Sequence, residues 1–333
     1  MSVLSGTIQE SPRRLTKPIY RMSESTPKIL LNDVTVVIPV KNEATNLPVC
    51  LGRLDGFGEI VVVDSGSSDT TCAIARDAGA EVLVFDWNGQ FPKKRNWVLQ
   101  TYKFSTKWVL FLDADEFVSE AFKSEVAKVL TDPEYVGFWL NYERWFLGKQ
   151  LRHGDEFNKL ALFRVGAGAY ERIEENQWSA LDMEIHEHPV LEGAIGEIRA
   201  PIEHNEHRGL HHYIAKHNEY GSWEAERYLQ LTGQRPEAGD FRMEGESLGA
   251  GSRPGGISGL SSQVLALTPR QRAKYRHISK WWAAPVYFIR GYIFKGGFLD
   301  GAAGFHFALG KAIYFYQIRL KIKEQYSLYK SNE

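Results

Sequence analysis

Two cysteines, Cys50 and Cys72, in 333 residues leave no disulfide framework and no zinc-finger spacing. That scarcity suits a reducing compartment. Nowhere do roughly 18 apolar residues run uninterrupted, so a conventional membrane span is not expected. The first thirty residues hold Arg13, Arg14, Lys17, Arg21 and Lys28 but no apolar run of signal-peptide length. Net charge is scarce too. Lys and Arg number 40 against 41 Asp and Glu, a formal balance of -1 that argues against a nucleic-acid-coating protein and against an acidic disordered chain. No internal repeat is visible. What remains is a cytosolic globular protein, long enough for one large core or two ordinary ones.

From Val34 onward, short β-rich runs alternate with helical stretches. Val34–Val40, Ile60–Val63, Glu81–Phe85 and Trp108–Leu112 read as strands, the first as one buried on both faces. Helices are expected over Ala44–Arg53, Thr70–Ala78 and from Pro92 to about Tyr102, with Ser119 capping another that stops before Asp132-Pro133. Three strand–helix–strand units in succession predict an α/β fold with a doubly wound, mostly parallel sheet and helices on both faces. Tyr135–Arg144 and Lys159–Val165 read as further β segments, and 208–231 as helix. The expected divisions are a flexible segment 1–30, a main domain 31–232, a Gly/Ser/Pro-rich insertion 233–263 and a helical region 264–333.

That last region hides a charge asymmetry. Residues 264–333 carry twelve Lys or Arg and three acids, a balance of +9, so the preceding 263 residues carry -10. It is also aromatic, with Trp281, Trp282, Phe288, Phe294 and Phe298 among others. Basic residues beside aromatic faces suit a helix lying in an anionic membrane interface. They equally suit a helical subdomain packed on the sheet, with long cationic stems along its apolar surface.

The chemistry concentrates at strand ends. Asp113-Ala114-Asp115-Glu116 follows an apolar strand, and ligands of open α/β sheets bind beyond such carboxyl ends. Two acids two residues apart at a turn can hold Mg²⁺ or Mn²⁺ together with phosphate oxygens, though a solvated acidic loop would look the same. Lys41-Asn42-Glu43 and Asp64-Ser65-Gly66-Ser67-Ser68-Asp69 follow two other strands of the same sheet edge. Lys93-Lys94-Arg95-Asn96 adds positive charge suited to phosphates. Seven of the ten histidines fall between 186 and 217, which is either a second metal site or, more simply, one or two site residues and an exposed helix face. His204 is the one singled out as an added metal or phosphate contact.

The stretches VVIPVKNEATNLPVCL, EIVVVDSGSSDTTCAIARDAGAEV, QFPKKRNWVL and WVLFLDADEFVS resemble glycosyltransferase family 2, inverting enzymes of the GT-A fold. YERWFLGKQLRHG, KLALFRV, IHEHP, PIEHNEH and GGFLDGAAGF are similar to the branch that includes lipopolysaccharide-core glucosyltransferases. The resemblance implies donor-binding roles for Pro39, Asn42, Glu43, Asp64, Ser65, Lys94, Arg95, Asn96 and Asp113. It implies metal ligation by Asp115 and Asp113, and a general base at Glu187, with Asp182 and Glu184 as competitors. It implies a divalent cation, a nucleotide-sugar donor (a UDP-sugar) and a glycan or glycolipid acceptor of the cell envelope; with the basic, aromatic tail, the expected place is the cytosolic face of an anionic membrane, and the charge balance points to no nucleic-acid partner. Arg144-Trp145 lacks the Gln of the processive members' Gln-x-x-Arg-Trp motif, so transfer of a single sugar is expected. A polyprenyl-phosphate sugar synthase of the same family is the alternative enzyme. A noncatalytic nucleotide-sugar-binding or membrane scaffold protein is the alternative of another class.

Overall fold

Leu31–Val40 forms strand β1, and its β-branched run explains why it lies at the centre of the main sheet: from Val34 onward no residue of it faces water. The computed structural model describes residues 30–172, 181–182, 189–232 and 269–330. Helix α1 (Leu47–Leu51) follows, then β2 (Phe57–Asp64), α2 (Thr71–Asp77), β3 (Glu81–Val84), α3 (Lys94–Thr101) and β4 (Trp108–Phe111). These four strands stand in the order β3-β2-β1-β4, all parallel. Helix α1 is shorter than the sequence suggests because Pro48 occupies its first turn, where a missing N–H costs nothing, and so sets its start. Likewise α3 begins at Lys94, after a cis Phe91–Pro92 bond, rather than at Pro92. Pro39 is tolerated within β1 for a positional reason. It shares parity with Val37, whose carbonyl accepts the Leu112 N–H, and it lies past the last β1–β4 pair, Val37↔Phe111.

Beyond β4 the sheet becomes mixed. Strands β5 (Glu116–Phe117), β6 (Tyr135–Phe146), β7 (Lys149–Leu151), β8 (Asn158–Arg164) and β11 (Ala194–His204) extend it as β4-β8-β6-β11-β5, with β7 paired to β6. A small antiparallel pair joins β9 (Gly168–Tyr170) to β10 (Pro189–Leu191). Helix α4 (Glu120–Val129) lies between β5 and β6, its start fixed as expected by Ser119, whose side chain accepts the Phe122 N–H at 3.1 Å. The core gathers Val36, Ile38, Val62, Leu110, Phe138 and Leu162 with their neighbours.

A second core is helical. It joins Tyr228, Leu229 and Leu231 of α5 (Gly209–Leu231) to Tyr275 of α6 (Pro269–His277), Ala284 of α7 (Ala283–Ile289) and Phe315, Ile318 and Ile322 of α8 (Gly301–Lys330). Between α7 and α8 the chain makes a π-helical turn (Arg290–Phe294) and a 3₁₀ turn (Gly297–Asp300). The turns pack so closely that a Cβ on Gly304 would lie 2.0 Å from the Gly297 carbonyl oxygen. Asp300 clamps this unit to the sheet. Its carboxylate accepts the N–H of Arg152 at 3.2 Å and of His153 at 2.9 Å and pairs with His153 Nδ1 at 3.0 Å, while its carbonyl accepts Lys149 Nζ at 2.8 Å. Among the described residues, no helix is long and apolar enough to cross a membrane.

Candidate functional site

The parallel arrangement brings the ends of β1, β2 and β4 to one sheet edge, as the strand-end clusters require. Asp64, at the end of β2 and paired in register with Val40, accepts the Gly66 N–H at 3.1 Å, the Ser67 N–H and the Ser67 hydroxyl. Burial would raise its pKa, but these donors and the Cys72 thiol outweigh it and keep the carboxylate ionised. Asn42 takes a left-handed φ of 56°, which lets its side-chain oxygen accept the Ser68 N–H at 2.8 Å. Glu43 accepts from Asn46 and pairs with Arg208 at 2.8 Å. Burial lifts the Glu43 carboxyl to about 7 in spite of Arg208.

Lys94, Arg95 and Asn96 are all buried at the start of α3, and each has a defined task. Lys94 ties the strand ends together, donating to the Val40 carbonyl at 3.0 Å and the Ser65 hydroxyl at 2.8 Å, and pairs with Asp182 at 3.1 Å. Asn96 exchanges two hydrogen bonds with the Tyr170 backbone and so holds β9. Arg95 reaches the acidic turn, meeting Asp113 at 2.8 Å.

That turn is the electrostatic centre. Register pairs Glu116 with His204 of β11, and the Asp115 carbonyl accepts the Asn205 N–H at 2.9 Å. The His204 ring consequently sits with Nε2 3.3 Å from Asp115 Oδ2 and stacks on Phe157. Lys216 of α5 approaches the same oxygen to 3.8 Å. Lys159 of β8 bridges Asp113, at 2.6 Å, and Glu116, whose other oxygen accepts from Tyr142 and the Asp113 N–H. Three acids thus meet three cations, Arg95, Lys159 and Lys216. Burial alone would raise both aspartates; Lys159 and Arg95 pull Asp113 below its ordinary range, and Lys216 with His204 does so for Asp115. Glu116 goes the other way, raised by burial against Lys159. His204 shifts upward, because Asp115 outweighs its burial.

Of the expected residues, the structure gathers Asn42, Glu43, Asp64, Ser65, Arg95, Asp113 and Asp115 along this edge, with buried Pro39 beneath them. Glu187 lies outside the described residues, as do Glu184, His186 and His188, residues 1–29 and the 233–263 insertion. Asp182 is engaged by Lys94. Of the other histidines, His207 packs on Phe117, His212 lies 3.7 Å from Glu206, and His217 packs at a tilt against Tyr213. Among the described residues, no three His, Cys, Asp or Glu form a closed metal cage. Lys159, Lys216 and Glu116 were not singled out from sequence. Glu116 had a local signal, adjoining the Asp-Ala-Asp turn; the two lysines arrive from distant elements and had none.

The sequence pattern of the family described as Glycosyl transferase family 2 matches residues 35–181, from β1 past β9. The chain is 26% identical over 311 residues to "Lipopolysaccharide core biosynthesis glycosyltransferase LpsC" of Rhizobium meliloti, covering 91% of this chain and 95% of that protein. It is 33% identical over 99 residues to the SPbeta prophage-derived glycosyltransferase SunS of Bacillus subtilis, covering 29% of this chain and 23% of that one. Among solved structures, it is similar to glucosyl-3-phosphoglycerate synthase from Mycobacterium tuberculosis in complex with Mn²⁺, UDP and glucosyl-3-phosphoglycerate. There the identity is 23% and the TM-score 0.26, over 34% of this chain and 44% of that one, under half its length.

Proposed function

We propose that the chain, whose residues 35–181 match Glycosyl transferase family 2 and which is similar to LpsC over 91% of its length, is a glycosyltransferase of that family that moves a single sugar, with inversion, from a UDP-sugar to a glycan or glycolipid acceptor of lipopolysaccharide biosynthesis. The observation that carries this reading is the meeting of Asp113, Asp115 and His204 beside the ends of β1 and β2. Directional acceptors there, Asn42 and Asp64, suit a base and ribose. The likeness to LpsC across most of both chains supports the lipopolysaccharide assignment. The acceptor is then membrane-held, and the enzyme works at the cytosolic face of an anionic membrane.

The donor set fits a divalent cation. One or two carboxylates, completed by diphosphate oxygens and water, is the usual way Mg²⁺ or Mn²⁺ is held beside phosphates, and His204 adds a nitrogen beside Asp115. Asp115 would be the principal ligand, with Asp113 and His204 beside it. When bound, the metal neutralises charge developing on the diphosphate. The chain's own residues do the rest. Glu187 takes the proton of the acceptor hydroxyl as that oxygen bonds to the anomeric carbon. The carbon–phosphate-oxygen bond breaks, and the nucleoside diphosphate leaves with its electron pair. Arg95, Lys159 and Lys216, gathered at the acidic turn, would offset the leaving charge. An α-linked donor gives a β-glycoside.

A panel of nucleotide sugars, scored for nucleoside diphosphate release with Mn²⁺ or Mg²⁺, tests the reading. A UDP-sugar is consumed, and Asp115→Ala abolishes this. Metal-independent turnover, or an unaffected Asp115→Ala enzyme, would sink it.

A further inference from the structure

We propose that α7, the two turns and α8 form a monotopic docking face that seats in one leaflet of an anionic bilayer. This rests on the membrane-held acceptor above, and names the surface that meets the lipid. Helix α8 divides cleanly by face. Gly304, Ala308, Phe315, Ile318 and Ile322 are buried, whereas Phe305, Leu309, Ile313, Tyr316 and Leu320 are exposed. The exposed set recurs every three or four residues, one side of a helix, and runs for about 22 Å. Val286, Ile289 and Ile293 continue it on α7 and the π-helical turn. At the tip, Ile293, Phe294, Phe298 and Leu299 are 54%, 80%, 50% and 59% exposed. A contiguous apolar surface of this extent on a folded domain marks a place where something else sits.

Charge decides what that is. From Trp281 to Lys323 the only acid is Asp300, which is buried in its clamp. The exposed charges of this stretch are Lys295, Lys323 and Arg290, all positive, the last paired with Asp155 at 3.1 Å. Apolar and aromatic side chains flanked by cations, with no exposed carboxylate before Glu324 in the last turns of α8, complement the acyl boundary beneath anionic headgroups. Since no described helix can cross a membrane, the face lies on one leaflet.

The test uses the full chain and vesicles of phosphatidylcholine with and without phosphatidylglycerol. Because residues 269–330 share a core with α5, point substitutions replace truncation. The quadruple variant Ile293→Ser, Phe294→Ser, Phe298→Ser, Leu299→Ser alters only exposed positions. It should keep its circular dichroism and its UDP affinity but lose vesicle binding by more than tenfold. A second variant, Leu309→Ser with Ile313→Ser and Leu320→Ser, should weaken binding several-fold. Wild-type binding should fall on phosphatidylcholine alone and in high salt. Equal binding by the quadruple variant overturns the proposal. So does a wild-type dimer by sedimentation that becomes monomeric in that variant without vesicle binding, for then a second copy covers the face. UDP affinity and donor turnover in solution are read separately, so a failure here leaves the transfer reaction standing or falling on its own assay.

Discussion

The acidic turn and the C-terminal helices break opposite habits of a soluble protein. At the turn, Asp115 and Glu116 are almost fully buried, charges in a place where charge is costly. From Trp281 through α7, the two turns and α8 to Leu320, twelve large apolar side chains stand exposed, where burial would be expected. The two exceptions are resolved differently. The turn is answered from within, each acid meeting a cation of the same chain. The helical face has no answer among the described residues, and that contrast is the one that the proposed donor site and the proposed docking face would each use.

The comparison breaks most readily at Lys159. Lys159→Met leaves Asp113 and Glu116 without their shared cation, and we expect a loss of about 3–5 kcal/mol in urea denaturation. A loss below about 1 kcal/mol would mean that the acids are not balanced from within.

Helix α8 offers the sharpest internal control. Ile318 is fully buried and Leu320, two residues on, is exposed. Ile318→Ala should cost about 3 kcal/mol, whereas Leu320→Ser should stay within about 0.5 kcal/mol in solution. Equal costs would mean that the outer face packs on something.

Acidity distinguishes the sheet edge again. Burial lifts folded Glu43 to about 7 from an ordinary 4.5. The folded state therefore binds this proton more tightly than the unfolded chain does. That contribution is complete below the unfolded pKa and is lost as pH rises through about 7, on the order of 2–3 kcal/mol. Urea midpoints of wild type should fall across this window relative to Glu43→Gln; parallel curves would refute the shift.

The smallest expected effect concerns Lys216. If it is Asp115's internal counter-ion, Lys216→Met should bind Mn²⁺ alone about tenfold more tightly, a gain of about 1.4 kcal/mol by titration calorimetry, while binding UDP less well. Unchanged Mn²⁺ affinity would assign the balance at Asp115 to His204.

The parts of this arrangement that depend on neighbours in sequence could be read directly. Val34–Val40 and Trp108–Leu112 announce buried parallel strands through unbroken apolar runs, and the polar clusters that follow them must share an edge once the strands are parallel. The Ser119 cap is equally local. Lys159 and Lys216 are different. Each is one lysine among many, and its placement requires β8 to run antiparallel to β4 and α5 to follow β11 past Asp115. Lys94 and Asn96 illustrate a subtler limit. Their proximity to the edge was legible, but whether a polar side chain on a short helix turns toward ligand or stitches backbone depends on partners such as Val40 and Tyr170.

The Asp300 clamp has one more implication. It joins the tip of the helical face to the hairpin of β6 and β7, and β6 places Arg144 beside His204 through its register with β11. On the proposed seating of the tip in a leaflet, the candidate site would stand at a set height over the lipid. An enzyme mounted in that way measures its acceptors. A hydroxyl too near the headgroups, or too far along a grown chain, misses the anomeric carbon whatever its chemistry, so one addition can end the reaction without any separate signal to stop.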